Sequence, residues 1–143
     1  MNLLKSSGKT LFLIFLLSAC GTPSDDYNSK NEKQKEIKSL FIQFTEYRNN
    51  YDVENMASCL SDNCIINFYG WSLTKENFVS EMKRSKLESK GKFSFTNLKF
   101  NFVNENARAS ICFEQGITAF TVEFTLKHEN SGWKISEWNE NFH

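Results

Sequence analysis

Four runs of alternating apolar and polar residues lie between Lys92 and Phe142 of this 143-residue chain, and they constrain its fold more than any other feature. In each run apolar residues recur at every second position, which is the period of a β-strand with one buried face. These positions are Phe93, Phe95, Leu98, Phe100 and Phe102, then Ala107, Ala109, Ile111 and Phe113, then Phe120, Val122, Phe124 and Leu126, and finally Trp133 and Ile135. Short turns at 104–106, 115–116 and 130–132 separate the runs. The pattern predicts an antiparallel meander whose apolar face must be covered by another layer.

The first of these runs contains one irregularity, because its alternation slips by one place at Thr96 and Asn97. A slip of this kind indicates a β-bulge, which bends a strand and increases its twist. The sheet is therefore expected to be strongly bent, with its apolar face on the inside of the bend.

The residues before the sheet predict the layer that covers it. Apolar residues between Ile37 and Tyr51 recur at steps of three and four, which is typical of an amphipathic helix of about four turns. Asp52 can cap a short second helix and Thr74 a third, with a strand over residues 64–69 between them. The chain is therefore expected to be an α+β domain, with about three N-terminal helices on the concave face of a bent antiparallel sheet.

The N-terminal residues are typical of a secretory signal peptide. Lys5 and Lys9 precede an apolar run, 11–17, that is too short to cross the roughly 30 Å hydrocarbon core of a bilayer. A basic flank, a short apolar run and small residues before a cleavage point form such a signal. Residues 17–20, Leu-Ser-Ala-Cys, also resemble the lipobox of bacterial lipoproteins, which implies that Cys20 receives a diacylglyceryl group and becomes the mature N-terminus. An ordinary signal peptide with a chance cysteine is the alternative.

Three segments follow from this assignment: a signal peptide over residues 1–19, a flexible tether over 20–31, and a folded domain over 32–143. Attachment of acyl chains such as palmitate to Cys20 implies a lipid anchor in the bacterial cell envelope that does not cross the membrane. Gly21 stands where an Asp would resemble an inner-membrane retention signal. The expected destination is therefore the outer membrane, facing either the periplasm or the cell surface.

Charge and cysteine content narrow the range of functions. The signal peptide contains two lysines and no acidic residue, so the remaining chain has a net charge of about −2, which does not favour nucleic acid. Cys59, Cys64 and Cys112 remain in a compartment that should be oxidising. Cys59 and Cys64 could form a disulfide, or both could be buried free thiols. His128 and His143 lack the spacing of metal ligands, and we expect neither a metal nor a cofactor.

The order of these elements resembles a known fold. A helix, a short helix, a strand and a third helix precede the meander, with Leu-Ser-Asp-Asn at 60–63 and Gly-Trp-Lys-Ile at 132–135. Over roughly Glu36 to Phe142, this arrangement resembles the nuclear transport factor 2-like fold, including its SnoaL-like branch. The resemblance implies a cone-shaped domain whose bent sheet and helices enclose an apolar pocket, where members of the family bind small molecules or peptides.

Ketosteroid isomerase, an enzyme of this fold, provides a comparison for catalysis. Its oxyanion-binding tyrosine corresponds to Phe44, its aspartate base to Phe68, and its protonated aspartate to a position near Phe124. A phenylalanine ring can neither accept a proton nor stabilise an oxyanion. The resemblance therefore implies a pocket that has lost this chemistry, and we expect no catalytic residues.

Seven aromatic side chains are expected to line the pocket: Phe44, Tyr47, Phe68, Trp71, Phe113, Phe124 and Trp138. The same rings could instead be ordinary core residues, and Trp71 could either cover the pocket mouth or simply pack against its neighbours.

The function expected from the sequence is that of a lipid-anchored, non-enzymatic protein that binds an apolar small molecule or a segment of a partner protein. One alternative is a scaffold or accessory subunit that forms a homodimer through the outer face of the sheet. Another is an isomerase or hydratase of the SnoaL type, with Tyr47 and Glu137 as its candidate acid–base residues.

Overall fold

The computed structural model describes residues 25–68, 70–85 and 92–140, with side chains from residue 31 onward. Within these residues the elements are α1 (Asp25–Asn49), α2 (Val53–Ser58), β1 (Leu60–Phe68), β2 (Trp71–Thr74), α3 (Lys75–Ser85), β3 (Phe93–Val103), β4 (Asn106–Gln115), β5 (Thr118–Glu129) and β6 (Gly132–Glu140). The predicted signal peptide and Cys20 lie outside the described residues. Of the helices described, none is long and apolar enough to cross a membrane.

The six strands of the described chain form one curved sheet in the order β2-β1-β6-β5-β4-β3. Strands β3 to β6 are joined by short turns and pair antiparallel with their neighbours in sequence, which confirms the predicted meander. Strand β1 pairs parallel with β6 and antiparallel with β2, so the sheet is mixed at this edge. The predicted fold class is confirmed: an α+β fold with helices on a bent, mostly antiparallel sheet.

The bulge predicted in the first strand of the meander is present. Pairing between β3 and β4 shifts in register between Thr96 and Lys99. Asn97, within this interval, has a φ of 53°, in the left-handed region that asparagine tolerates better than most residues. Because a bulge bends its strand, it contributes to the curvature that lets the sheet wrap around the helices.

Helix α1 begins at Asp25, which is seven residues before the expected start of the domain at residue 32. Residues 25–31, the last part of the expected tether, are therefore helical. Residues 20–24 lie outside the described part of the chain.

Both predicted helix caps are present. Asp52 Oδ1 accepts a hydrogen bond from the backbone N–H of Asn55 (3.2 Å), and Thr74 Oγ1 accepts one from Asn77 (3.3 Å). Strand β1 starts at Leu60, four residues before the predicted strand. Strand β2 is absent from the sequence prediction, because four residues are too few to show an alternation.

The core lies between the concave face of the sheet and the helices. Helix α1 contributes Ile37, Phe41 and Phe44, which are at most 2% exposed, and α3 contributes Phe78. The sheet contributes alternate residues of its strands: Ala107, Ala109, Ile111 and Phe113 from β4, Val122, Phe124 and Leu126 from β5, and Trp133, Ile135 and Trp138 from β6. The apolar face predicted from the sequence is therefore the buried face.

Candidate ligand-binding cavity

Helix α1 lies along β6, and side-chain hydrogen bonds hold it to the sheet at two positions along its length. Trp133 Nε1, near the start of β6, donates a hydrogen bond of 3.1 Å to Glu36 Oε2. At the other end of the helix, Asn49 Nδ2 donates to the carbonyl of Phe93 and Asn49 Oδ1 accepts from the backbone N–H of the same residue, both at 2.8 Å. These contacts place the last two turns of α1 beside the end of β6 and the beginning of β3.

A second bulge, in β6, determines which side chains of that strand face the helices. Leu126 pairs with Ile135 while Thr125 pairs with Glu137, so one extra residue is inserted at Ser136. As a result Trp138 follows Ile135 on the concave face. Glu137 lies on the convex face, where its Oε2 accepts a hydrogen bond from Thr125 Oγ1 (3.2 Å).

A cavity of about 360 Å³ lies between the ends of α1 and α3 and the concave face of the sheet. Most of its wall is aromatic or aliphatic, and several of its lining residues stand at strand ends, so it opens at that end of the sheet. The lining residues are Phe44, Thr45, Arg48, Phe68, Phe78, Met82, Phe93, Phe113, Gln115, Thr118, Phe120, Trp138 and Glu140.

Trp138 is the centre of the aromatic wall. Its ring centroid lies 5.4 Å from Phe44, 5.2 Å from Phe68, 5.4 Å from Phe78 and 5.6 Å from Phe124, with three of these pairs edge to face. Rings in such arrangements stabilise one another beyond the area they bury, by about 0.5–1.5 kcal/mol per pair. The wall is therefore well packed around the cavity.

Among the lining residues that the structure describes, two are ionisable: Arg48 from α1 and Glu140 from β6. Burial raises the pKa of Glu140 to about 7, against smaller lowering effects from the indole N–H of Trp138 and the charge of Arg48. The charged groups of Arg48 and Glu140 do not approach within the 4 Å of an ion pair. This carboxyl was not among the residues expected from the sequence, and the expectation of no catalytic residues stays a prediction.

The polar atoms of the cavity wall are incompletely hydrogen bonded. The guanidinium carbon of Arg48 lies 4.3 Å from the ring centroid of Phe93, and Arg48 Nη1 is buried without a hydrogen-bond partner. Trp138 Nε1 is likewise buried, and although it lies near the Glu140 carboxyl it makes no hydrogen bond of normal geometry. Arg48 Nη1 is therefore the donor at the cavity wall for which the described residues provide no acceptor.

The predicted lining residues divide into two groups. Phe44, Phe68, Phe113 and Trp138 line the cavity, as expected. Three do not: Phe124 is buried behind Phe44 and Trp138, Tyr47 packs against the core away from the cavity, and Trp71 is 77% exposed on β2.

These positions also refine the comparison with ketosteroid isomerase. Phe44 and Phe68, which the sequence resemblance placed at its tyrosine and its base, both line the cavity. The ionisable groups of this cavity come from other positions, Arg48 and Glu140. Glu137, the acidic candidate from the sequence, lies on the opposite face of the sheet.

The cysteines of the domain are free thiols. Cys59 and Cys64 are buried, and their sulfurs donate weak hydrogen bonds to the carbonyls of Asn55 (3.7 Å) and Ile65 (3.9 Å). The possible disulfide between them is therefore not formed in this structure. Burial raises the pKa of Cys64 to about 12, with the charge of Glu137 adding to it and that of Lys75 opposing it, so this thiol is unreactive at neutral pH.

The convex face of the sheet carries a second depression of about 460 Å³. Its wall is polar and includes both signs of charge, from Lys99, Arg108, Glu123 and Glu137. This is the face through which a homodimer would form in the scaffold alternative, and that association stays a prediction.

Comparison with known proteins supports the fold. No protein-family model matches the chain, and no curated protein matches it in sequence. A protein of unknown function from Mycobacterium tuberculosis superposes with a TM-score of 0.66 at 15% identity, over 76% of this chain and 75% of that one. A nuclear transport factor 2-like protein with a cystatin-like fold from Novosphingobium aromaticivorans gives 0.66 at 11% identity, over 79% and 83%.

A further structure from Novosphingobium aromaticivorans, of a protein provisionally assigned as a scytalone dehydratase, gives a TM-score of 0.63 at 12% identity, over 81% of this chain and 89% of that one. At these identities the similarity shows the fold alone. The chain therefore has the nuclear transport factor 2-like, cystatin-like fold that the sequence resemblance implied.

Proposed function

We propose that this chain is a lipid-anchored envelope protein whose cavity binds a small, largely apolar molecule. The observation that carries the proposal is the cavity itself, which is enclosed by the rings of Phe44, Phe68, Phe78, Phe113 and Trp138. Its volume of about 360 Å³ falls in the range of small-molecule sites, which combine apolar walls with a few polar groups.

The size of the cavity limits the ligand. A molecule with one ring system buries on the order of 200 Å² of apolar surface, which contributes about 5 kcal/mol before the cost of association. Apolar contact alone therefore gives weak binding. A tight ligand needs a polar group placed against the polar part of the wall.

Fluorescence of the neutral apolar dye Nile red, and its displacement by aromatic compounds, test the proposal on the purified full chain. Met82 lines the cavity from α3, so Met82→Trp should fill it and abolish binding. Ser80 is exposed on the same helix, so Ser80→Trp should leave binding unchanged. If the two variants bind the dye equally well, the cavity is not the binding site.

The lipid anchor at Cys20 is part of the same proposal. Only residues 21–24 separate Cys20 from Asp25, where α1 begins. The helix rises about 35 Å from Asp25 to Arg48 at the cavity. An anchor at Cys20 would therefore hold the end of α1 far from the cavity near the membrane and direct the cavity opening away from it.

Two experiments test the anchor and this orientation. Cys20→Ser should abolish incorporation of an alkyne-labelled palmitate and release the protein from membranes. In proteoliposomes and in a Cys112→Ser background, nitroxide lipids should quench a fluorophore at Lys33→Cys, near the start of α1, more strongly than one at Ile117→Cys, on the β4–β5 turn at the cavity end. Stronger quenching at position 117 would contradict the orientation.

Acid–base catalysis is the second candidate function, and Glu140 is the observation that favours it. A carboxyl with a pKa of about 7 in an apolar cavity has the properties of a general base. Among the described lining residues Glu140 is the only carboxyl, and none is a histidine, cysteine or lysine that could act as its acid–base partner. We therefore rank binding ahead of catalysis.

Deuterium exchange into an aromatic ketone such as 1-indanone tests this second candidate. A carboxylate base would remove the proton next to the carbonyl and return a deuteron from the solvent, which NMR detects. Loss of exchange in Glu140→Gln, with exchange retained in Tyr47→Phe, would support catalysis. If exchange with the protein is no faster than in buffer alone, the proposal of acid–base catalysis is wrong.

A further inference from the structure

The polar part of the cavity wall indicates which chemical class of ligand it accepts. Arg48 carries a fixed positive charge, and its buried Nη1 has no hydrogen-bond partner. Phe93 lies against one face of the guanidinium, 4.3 Å from Cζ to the ring centroid, so the side chain is held at the wall. A buried cationic donor without a partner gains most from a negatively charged acceptor.

Among the described residues that line the cavity, Glu140 is the one acidic group. The described lining residues of the other elements are not titratable: Phe68 from β1, Phe78 and Met82 from α3, Phe93 from β3, Phe113 and Gln115 from β4, and Thr118 and Phe120 from β5. Glu140 and Arg48 do not form an ion pair, and no other acidic group in the described part of the chain lies within ion-pair distance of the guanidinium.

We propose that the cavity binds apolar carboxylic acids, with the carboxylate of the ligand at Arg48 and its aromatic or aliphatic body against Phe68, Phe78 and Trp138. This inference rests on the proposed function and specifies the ligand class of the same site. A carboxylate matches the planar fork of a guanidinium and can accept a hydrogen bond from the unpaired Arg48 Nη1. A doubly charged phosphate would leave one negative charge uncompensated beside a single cation.

The protonation state of Glu140 then determines how the ligand affinity depends on pH. With Glu140 protonated, one ligand carboxylate meets one guanidinium and the cavity is neutral. With Glu140 ionised, two carboxylates share one cation, and they repel each other in a partly buried site. Because burial brings the pKa of Glu140 to about 7, ligand affinity should fall as the pH rises from 6 to 8, and binding at neutral pH should take up protons.

Calorimetry on the purified full chain tests the inference with 4-phenylbutyrate, its neutral analogue 4-phenylbutanamide and the cation 4-phenylbutylamine. At pH 6 the carboxylate should bind at least tenfold more tightly than the amide, and the amine should bind most weakly. Arg48→Met should lower the affinity for the carboxylate to that for the amide, and the affinity for the amide should not change. Glu140→Gln should remove the loss of affinity between pH 6 and pH 8.

The outcomes separate this inference from the proposed function. The carboxylate assignment is wrong if the amide and the carboxylate bind with equal affinity, or if Arg48→Met lowers both affinities equally. In either case the cavity remains a binding site. If neither compound binds and Nile red does not bind either, both proposals fail. Folding of each variant is checked by its circular dichroism and its urea unfolding midpoint.

Discussion

The guanidinium of Arg48 lies over the ring of Phe93, with 4.3 Å between Cζ and the ring centroid. This contact joins the last turn of α1 to the first residue of β3 and holds a positive charge at the wall of an apolar cavity. A cation over an aromatic face is stabilised by about 0.5–2 kcal/mol, more when water is excluded. The position of the charge is therefore a property of the fold and does not depend on a ligand.

Asn49 supports this arrangement, because its side chain makes two hydrogen bonds of 2.8 Å to the backbone of Phe93. Asn49→Ala leaves a part-buried N–H and carbonyl without partners, and it should lower the free energy of unfolding by about 1–3 kcal/mol. The neighbouring Asn50 is exposed, and Asn50→Ala should change it by less than about 0.5 kcal/mol. Urea unfolding followed by circular dichroism measures both, and equal effects would contradict the role given to Asn49.

Two tryptophans provide a test of where the core ends. Trp138 is 6% exposed and contacts four aromatic rings, so Trp138→Ala should reduce the free energy of unfolding by about 3–5 kcal/mol. Trp71 is 77% exposed, and Trp71→Ala should change it by less than about 0.5 kcal/mol. A large loss of stability in Trp71→Ala would show that this residue packs as the sequence first suggested.

The pH dependence of the free energy of unfolding should show the effect of the buried Glu140 carboxyl. Burial raises its pKa to about 7 from an ordinary 4.5, so the folded chain holds this proton more tightly than the unfolded chain does. The group therefore favours folding below pH 4.5, and this contribution is lost as the pH rises through 7. Glu140→Gln is neutral throughout, so it should match the wild type near pH 4 and exceed its stability at pH 8.

At pH 8 the free energy of unfolding of Glu140→Gln should exceed that of the wild type by about 1–2 kcal/mol. This difference is smaller than the full pKa shift would give, because solvent partly reaches the carboxyl. Glu114→Gln, which changes an exposed carboxylate of β4, is the matched control. Urea unfolding at several pH values gives the difference directly. An excess that shrinks toward pH 8 would contradict the placement of Glu140 in the cavity.

The thiols should differ in reactivity. Cys112 is partly exposed, whereas Cys59 and Cys64 are buried and burial raises the pKa of both. Iodoacetamide at pH 8 should therefore label Cys112 first in the folded protein, and in urea all three thiols should react. Intact mass counts the labels. Only one label in the unfolded, unreduced protein would show that Cys59 and Cys64 are bridged after all.

The sequence was sufficient to predict the sheet, because the alternation of apolar and polar residues shows which side chains of a strand are buried. The runs 107–113 and 120–126 contain enough alternating residues to predict both the strands and their buried face, and both are confirmed. The bulge at Asn97 was also visible, since the slip in alternation occurs within a long apolar pattern. Local patterning therefore predicted the scaffold around the cavity.

The ionisable groups of the cavity were missed for two physical reasons. Extending the alternation from Ile135 places residue 137 inside, but the bulge at Ser136 reverses the faces and brings Glu140 inward instead of Glu137. The three-residue step from Ile135 to Trp138 marks this bulge, but only one apolar residue follows it in the strand, so the change of face was not inferred. Arg48 did carry a signal, because it lies one helical turn after Phe44 and so shares its face.

The central claim, that the cavity on the concave face binds an apolar molecule, is tested most directly by an NMR titration of the 15N-labelled full chain with 4-phenylbutanamide. This neutral probe tests the cavity independently of its charges. The account predicts saturable shifts of the backbone amides of Thr45, Thr118 and Glu140, and none at Ser110 or Glu123 on the convex face. Shifts confined to the convex face, or no shift at any residue, would contradict it.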